Sequence, residues 1–243
     1  MKNLFWSVCL AGLCMNIVYA QRAPEEDMMW ARYLLQFHIS PRLEASAQAT
    51  NQLFSVSGKE KQLISHYNLD LKLNKYFKVG AGLTYAYKWE WNEDFSSHYN
   101  LPEIRPFQQV LVNVGLGEKW KSLGRVRFDE RYEHNANATE GLTSGFSYEG
   151  RVRFQELVIY RMSSRWHARL GDELFVNYKP EQNSGRRYGQ NRIFIGLAYS
   201  AKPSLQIDGD FFLVNNNDDG NIKHFQVFRI GILQKISFYE SKE

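Results

Sequence analysis

The stretch Gly124–Glu133, with the sequence GRVRFDERYE, alternates between charged and apolar side chains. One parity is charged and consists of Arg125, Arg127, Asp129 and Arg131. The other is mostly apolar and contains Val126, Phe128 and Tyr132. Because side chains alternate across a β-strand, this pattern predicts a strand with one charged and one apolar face. Either the charged face is exposed to water, as in a soluble sheet, or the apolar face meets lipid and the charges line an interior.

The first twenty residues have the organisation of an export signal. Lys2 is followed by the apolar run Leu4–Val18 and by the small-residue ending Val18-Tyr19-Ala20. This run is short for a membrane anchor, and the polar sequence QRAPEED follows it. We therefore predict that residues 1–20 are a cleaved signal peptide. Since Cys9 and Cys14 both lie there, the mature chain has no disulfide, thiolate metal ligand or cysteine nucleophile.

The composition of the remaining chain indicates one large β-domain over residues 21–243. The formal charge of the full chain is +4 and falls to +3 when Lys2 is removed with the signal peptide, so there is no electrostatic signature of nucleic-acid binding. Aromatic residues make up 15% of the chain, yet the mean hydropathy is −0.47. These values fit a transmembrane β-barrel, in which inward and outward residues alternate, and they also fit a secreted β-protein.

The connections between the alternating segments are short and long in turn. The short ones include SPR, NKY, SSR and AKPS, and the long ones include SVSGKEKQ, NEDFSSHYN and KPEQNSGRR. Outer-membrane barrels have this organisation, with short periplasmic turns and longer outer loops. We therefore predict an all-β fold, an antiparallel up-and-down transmembrane β-barrel. Eleven strands are clear. We expect about twelve because single-chain bacterial barrels have even numbers, with the twelfth in the segment Gln21–Met29 unless that segment enters the barrel.

Aromatic residues mark the ends of the predicted strands. Trp166 and Tyr178 share one parity and lie about 40 Å apart along an extended chain, which a tilt near 45° reduces to about 28 Å of height. This spacing suits the aromatic girdles of a membrane barrel. The final strand ends near a phenylalanine, Phe238, and the last strands of outer-membrane proteins commonly end with this residue type. We therefore expect membrane lipid as surroundings and the barrel-assembly machinery as a partner of the C-terminal strand.

Arginines and carboxylates recur at alternating positions of several predicted strands. In a barrel these side chains converge on the interior, where opposite charges pair. We predict that twelve such residues line the interior and bind a solute. They are Glu103, Arg105, Arg125, Arg127, Asp129, Arg131, Arg151, Arg153, Arg169, Glu173, Arg192 and Asp208.

Five motifs in order carry a resemblance to a known family. They are EIRPFQQ, RVRFDERY, GRVRF, DELFVNY and QNRIFIGLAY. Together they resemble the family catalogued as domain of unknown function 2490, over essentially all of the mature chain. The resemblance implies an exported outer-membrane β-barrel of Gram-negative bacteria and implies no activity. The matching polar positions are Glu103, Arg105, Arg125, Arg127, Arg131, Arg151, Glu173, Asn191 and Arg192. Either Asp129 or Glu130 replaces the glutamate that this family usually has.

Three acidic residues do not follow the predicted alternation. Glu130, Glu156 and Asp172 share parity with apolar residues that would face lipid. Such carboxylates cost free energy in a membrane unless they lie near an interface, at a bulge or against another protein.

The sequence provides little support for catalysis or for metal binding. The histidines are scattered, and the pair His38 and Ser40 lies at a predicted turn, where serine is common. The oxygen-rich segments EHNANATE and NNNDDGN are explained as turns at least as well as by calcium. We expect no enzyme, no metal and no cofactor.

Two functions remain for a barrel of this kind. The first is a narrow, porin-like channel or binding barrel for a small polar or anionic solute. The alternative is a structural barrel whose charges form its core and whose loops, above all His134–Ser147, act in adhesion or assembly. An outer-membrane lipid hydrolase is less favoured. We expect the protein in the outer membrane, the alternative being the periplasm or secretion.

Overall fold

The computed structural model describes residues 27–91, 97–137, 141–179, 186–218 and 221–239. The predicted signal peptide, residues 1–20, lies outside these ranges. Within them, no helix is long and apolar enough to cross a membrane.

The described residues form eleven β-strands. In chain order they are β1 (Met28–His38), β2 (Leu43–Phe54), β3 (Glu60–Lys72), β4 (Phe77–Trp91), β5 (His98–Gly115), β6 (Trp120–Asn137), β7 (Gly141–Arg161), β8 (Trp166–Tyr178), β9 (Arg186–Lys202), β10 (Leu205–Asp218) and β11 (Asn221–Ser237).

The strands form a closed barrel, which confirms the predicted all-β fold class. Each strand pairs antiparallel with the next one along the chain. The closing pair, β1 with β11, is parallel and runs in register from Met28↔Val227 to His38↔Ser237. An odd number of up-and-down strands requires this, because the first and last strands point the same way.

The expectation of about twelve antiparallel strands is corrected by this arrangement. Met28 and Met29, which the sequence placed in a possible twelfth strand, are the first residues of β1. Residues 21–26 lie outside the described part of the chain. The even-number rule therefore gave the wrong count for the strands that the structure describes.

Several strands extend into segments predicted as loops. The clearest case is 134–147, because β6 continues to Asn137 and β7 begins at Gly141. Ring contacts accompany this extension, such as that between His134 and Phe146, whose centroids are 4.8 Å apart. Polar, turn-forming residues suggested a loop, whereas cross-strand pairing extends the hairpin despite one irregularity in register between His134 and Ala136.

The outer surface of the barrel is apolar. Most of the large hydrophobic residues at the outward parity are exposed, as Val126 on β6 and Ile195 on β9 illustrate. Aromatic pairs collect at the end with the short turns, including Trp120–Tyr160 and Trp166–Tyr199 with centroids 4.6 and 4.9 Å apart. Toward the other end, the outward rings of β6 and β7 meet at Tyr132 and Tyr148.

Candidate functional site in the barrel interior

Charged side chains meet inside the barrel across strands that are not neighbours. Arg125 on β6 donates to Glu173 on β8 across β7, at 2.7 Å. Arg32 on β1 binds Asp208 on β10 across β11, with two hydrogen bonds of 2.8 and 2.9 Å. Side chains two strands apart converge in this way on the concave side of a closed sheet, so these groups occupy its interior.

The structure brings all twelve sequence-predicted site residues into this interior. Each belongs to an ion-pair network, and these residues are Glu103, Arg105, Arg125, Arg127, Asp129, Arg131, Arg151, Arg153, Arg169, Glu173, Arg192 and Asp208. They form three clusters, which we name after their carboxylates. Asp129, not Glu130, is the inward carboxylate of RVRFDERY, since its side chain is paired with Arg127 and only 1% exposed.

The Glu103 cluster gathers three cations around one buried carboxylate. Arg105 donates to both oxygens of Glu103, at 2.6 and 2.7 Å. Arg131 donates to the same two oxygens, and Lys88 Nζ lies 3.0 Å from Oε2. Lys88 is shared with Glu133. Glu103 is fully buried, so its charge depends on these partners.

The Asp129–Glu173 cluster lies between β4 and β9. Arg127 donates from Nε to Asp129 Oδ1 at 2.7 Å and from Nη2 to the hydroxyl of Thr84 at 3.0 Å. Because Arg127 has donors only, the Thr84 hydroxyl accepts this bond, and the same hydroxyl is hydrogen-bonded to His66 Nδ1 at 2.6 Å.

Glu173 is the second carboxylate of that cluster and is held by three arginines. Its Oε1 accepts from Arg125 Nη2 at 2.7 Å and from Arg153 Nε and Nη2 at 2.9 and 2.6 Å. Its Oε2 faces Arg192, whose Nη1 lies 3.9 Å away. Four arginines, counting Arg127, therefore share the two carboxylates of this cluster.

Phe175 on β8 positions the arginines around Glu173. The guanidinium carbons of Arg153 and Arg192 lie 4.8 and 4.6 Å from its ring centroid, and that of Arg151 lies at 5.7 Å. A cation above an aromatic face is attracted by the ring and keeps its N–H edge free. The ring therefore orients these side chains without using their hydrogen-bond donors.

The Asp208–Asp210 cluster occupies the wall formed by β8, β10, β11 and β1. Arg169 contacts both carboxylates, and Arg229 donates to Asp210 Oδ2 from Nε at 2.9 Å. Gly196 on β9 makes room for this arrangement, because a Cβ at this position would overlap the Asp210 carboxylate.

Beside these clusters, one part of the interior is apolar. Phe212 stacks on Phe194 and tilts against Trp30, with centroids 4.8 and 5.4 Å apart. Val214 and Val227 complete this buried group. The barrel wall near the β1–β11 closure is therefore packed as a hydrophobic core.

Further interior residues were not predicted as part of the site. They include Arg32, His66, Thr84, Lys88, Glu149, Asp210 and Arg229. A signal was present for Arg32, since it is the only Lys or Arg at the inward parity of β1. The sequence held no such signal for Thr84 and His66, because their contact depends on the pairing of β3 with β4.

The carboxylates that break the alternation form a polar group on the outer surface. Glu156 and Asp172 are cross-strand partners on β7 and β8. Ser122 donates to Glu156, and Asn191 donates to Asp172 at 2.6 Å. Asn191, one of the positions matching the family, therefore lies on the outer face. Among the described residues, no cation lies within ion-pair distance of Glu130, Glu156 or Asp172.

Metal binding at these clusters has no support in the described ranges. They contain no group of three or more His, Cys, Asp or Glu side chains that could hold a metal ion.

A family model described as "Protein of unknown function (DUF2490)" matches residues 27–224. The chain belongs to this family. The resemblance inferred from the five motifs is thereby confirmed.

A NanC porin, solved in a rhombohedral crystal form, has a similar structure with a TM-score of 0.50. It is 13% identical to this chain, and the similarity covers 86% of this chain and 98% of the porin. At this identity the likeness concerns the fold. No curated protein matches the chain.

Proposed function

We propose that this protein is an outer-membrane barrel that binds a small anionic solute in its interior and lets it pass. The observation that carries the proposal is the excess of arginine around Asp129 and Glu173, where four guanidinium groups share two carboxylates. A cation excess in a confined, low-dielectric interior attracts anions and excludes cations.

The membrane location is supported by the distribution of side chains. The outside of the barrel is apolar, aromatic pairs lie toward its ends, and the charges are turned inward. A soluble barrel of this size would expose an unusually large apolar surface to water. The similar fold of a solved porin and the predicted signal peptide agree with this placement.

Some of the interior arginines are only partly buried. The side chains of Arg125 and Arg192 are 22% and 23% exposed, whereas Glu173 beneath them is 6% exposed. An anion that enters the barrel can therefore contact these two guanidinium groups.

Planar-bilayer recordings of the purified protein test the proposal. We expect an anion-selective conductance in a potassium chloride gradient, and we expect Arg192→Glu to reduce or reverse the selectivity. Arg42→Glu is the matched control, because Arg42 lies in the exposed turn between β1 and β2. Absence of any conductance, or a conductance unaffected by Arg192→Glu, would contradict passage of an anion.

A second candidate is a non-conducting structural barrel. Complete burial of Glu103 and near-complete burial of Asp129 favour it, because these charges also fill the interior. Bilayer recordings without conductance, from a protein that is intact and heat-modifiable on gels, would support this candidate.

We propose no catalytic role for the interior. His66 is the histidine inside the Asp129–Glu173 cluster, and its Nδ1 is hydrogen-bonded to the fully buried hydroxyl of Thr84. A substrate has no access to that hydroxyl as a nucleophile.

A further inference from the structure

Glu173 itself shows what kind of ligand the arginine cluster is built to hold. Its Oε1 accepts hydrogen bonds from two guanidinium groups, whereas Oε2 faces Arg192 at a distance too long for a hydrogen bond. One half of the carboxylate is therefore fully bound, and the other half is open toward a cation.

Two of the arginines beside Glu173, Arg125 and Arg192, have hydrogen-bond donors that remain unused. Among the described residues, Arg125 makes one side-chain hydrogen bond, from Nη2, and its Nε is buried without a partner. Arg192 makes one, from Nε to Gln190 at 2.8 Å. Its two terminal nitrogens donate to nothing in the described chain. A guanidinium group has five N–H donors, so both of these partly exposed arginines retain unused donors.

The Asp208–Asp210 cluster provides a contrast within the same barrel. There, three arginines serve two carboxylates, and Arg32 donates from Nη2 to both oxygens of Asp208. Arg32 and Arg169 also each keep a buried Nε without a partner in the described chain. The side chains of Arg169 and Arg229 are, however, less exposed than those of Arg125 and Arg192. The two clusters therefore differ in the exposure of their arginines, and those beside Glu173 are the more accessible.

We propose that Arg125, Arg153 and Arg192 form a carboxylate-binding site that Glu173 occupies as an internal competitor. A solute carboxylate binds Arg125 and Arg192 at the open side of Glu173 and shares the three arginines with it. This inference rests on the proposed function and names its ligand class. The guanidinium fork fits a carboxylate with two parallel hydrogen bonds.

Competition by Glu173 explains how such a site can release its ligand. A solute held by three uncompensated arginines would leave slowly, and passage requires binding weak enough to permit exit. Glu173 neutralises part of their charge and so lowers the affinity for the incoming anion.

The test is a titration of the purified protein in detergent with sodium acetate at constant ionic strength, followed by tryptophan fluorescence. Trp30 reports on the site because Arg192 lies 5.2 Å from its ring centroid. We expect Glu173→Gln to bind acetate about tenfold more tightly, the size of one charge-assisted hydrogen bond. Asp210→Asn also removes one interior carboxylate, in the cluster whose arginines are less exposed, and is expected to change the affinity less than twofold.

The outcomes separate this inference from the proposed function. Wild-type protein that conducts anions, combined with a Glu173→Gln variant whose acetate affinity is unchanged or weaker, overturns the competitor alone. Binding of phosphate without binding of acetate overturns the ligand class. Absence of both conductance and anion binding in every variant overturns the proposed function as well.

A second variant covers the case in which Glu173→Gln fails to fold. Arg192→Gln removes a side chain with only one hydrogen bond in the described chain, so the barrel should form. It should weaken acetate binding about tenfold, and unchanged binding would refute the site.

Discussion

At the scale of single residues, the interior depends on charges that are buried together. Arg127 is 4% exposed, lies over the ring of Phe107 at 3.6 Å and donates to Asp129. Such a pair contributes little net stability, yet loss of one partner leaves an uncompensated charge. The pair therefore favours the arrangement in which the inner face of β6 packs its arginine on Phe107 of β5.

Asp129→Asn should destabilise the barrel by about 3–5 kcal/mol, because Arg127 then remains buried without its counter-charge. Urea unfolding in lipid vesicles, followed by tryptophan fluorescence, measures the change. The double variant Arg127→Met/Asp129→Leu should recover most of the loss, since it removes both charges. Equal stability of Asp129→Asn and the wild type would show that the pair is not desolvated.

Gly196→Ala should also destabilise the barrel, by about 1–3 kcal/mol, because its methyl group would overlap the Asp210 carboxylate and force Arg169 to move. Gly209→Ala is the matched control on the paired strand, where a Cβ meets nothing within 4 Å. The same unfolding measurement applies. A larger effect at Gly209 than at Gly196 would contradict the packing argument.

At the scale of elements, β7 and β8 carry two opposed carboxylates on their outer face that have no cationic partner in the described chain. Glu156 and Asp172 are opposed on the outer face of neighbouring strands, and Asp172 lies six residues from each of the aromatic ends Trp166 and Tyr178. Two carboxylates directly across a strand pair repel each other, and an apolar membrane increases the cost.

Asp172→Asn should therefore stabilise the protein in lipid by about 1 kcal/mol, because it removes one charge and keeps an acceptor for Asn191. Glu118→Gln, in the exposed turn between β5 and β6, is the control and should have no effect. Unfolding in lipid vesicles compares the two. A loss of stability in Asp172→Asn would mean that a cationic partner covers this charge.

At the scale of the whole molecule, the barrel closes through the parallel pair of β1 and β11. Leu35 and Gln234 face each other across this closure. The arrangement follows from eleven strands, and it would not exist if a twelfth strand separated the two termini.

A Leu35→Cys/Gln234→Cys variant should form a disulfide on oxidation, detected as a mobility shift on non-reducing gels. The control is Leu35→Cys/Ile207→Cys, since Ile207 lies on β10, beyond β11. Two strand spacings, about 10 Å, exceed the reach of a disulfide. Cross-linking of the control in place of the first pair would refute the parallel closure.

The sequence predicted the fold class because side-chain alternation is a local property that each strand carries alone. GRVRFDERYE already separated Arg125 and Arg127 from Val126 and Phe128, and the structure places them on opposite sides of β6. Hairpin lengths were less predictable. Many residues of 134–147 are turn formers, and only pairing between the strands makes 134–137 and 141–147 extended.

The sequence by itself determined that the chain forms β-strands and which charged residues share one face of each strand, because both follow from a period of two. The partners of those residues were decided only by the tertiary structure. Arg125 reaches Glu173, and Arg32 reaches Asp208, across an intervening strand. Such contacts depend on register, curvature and closure, which arise when all strands pair and which no single segment encodes.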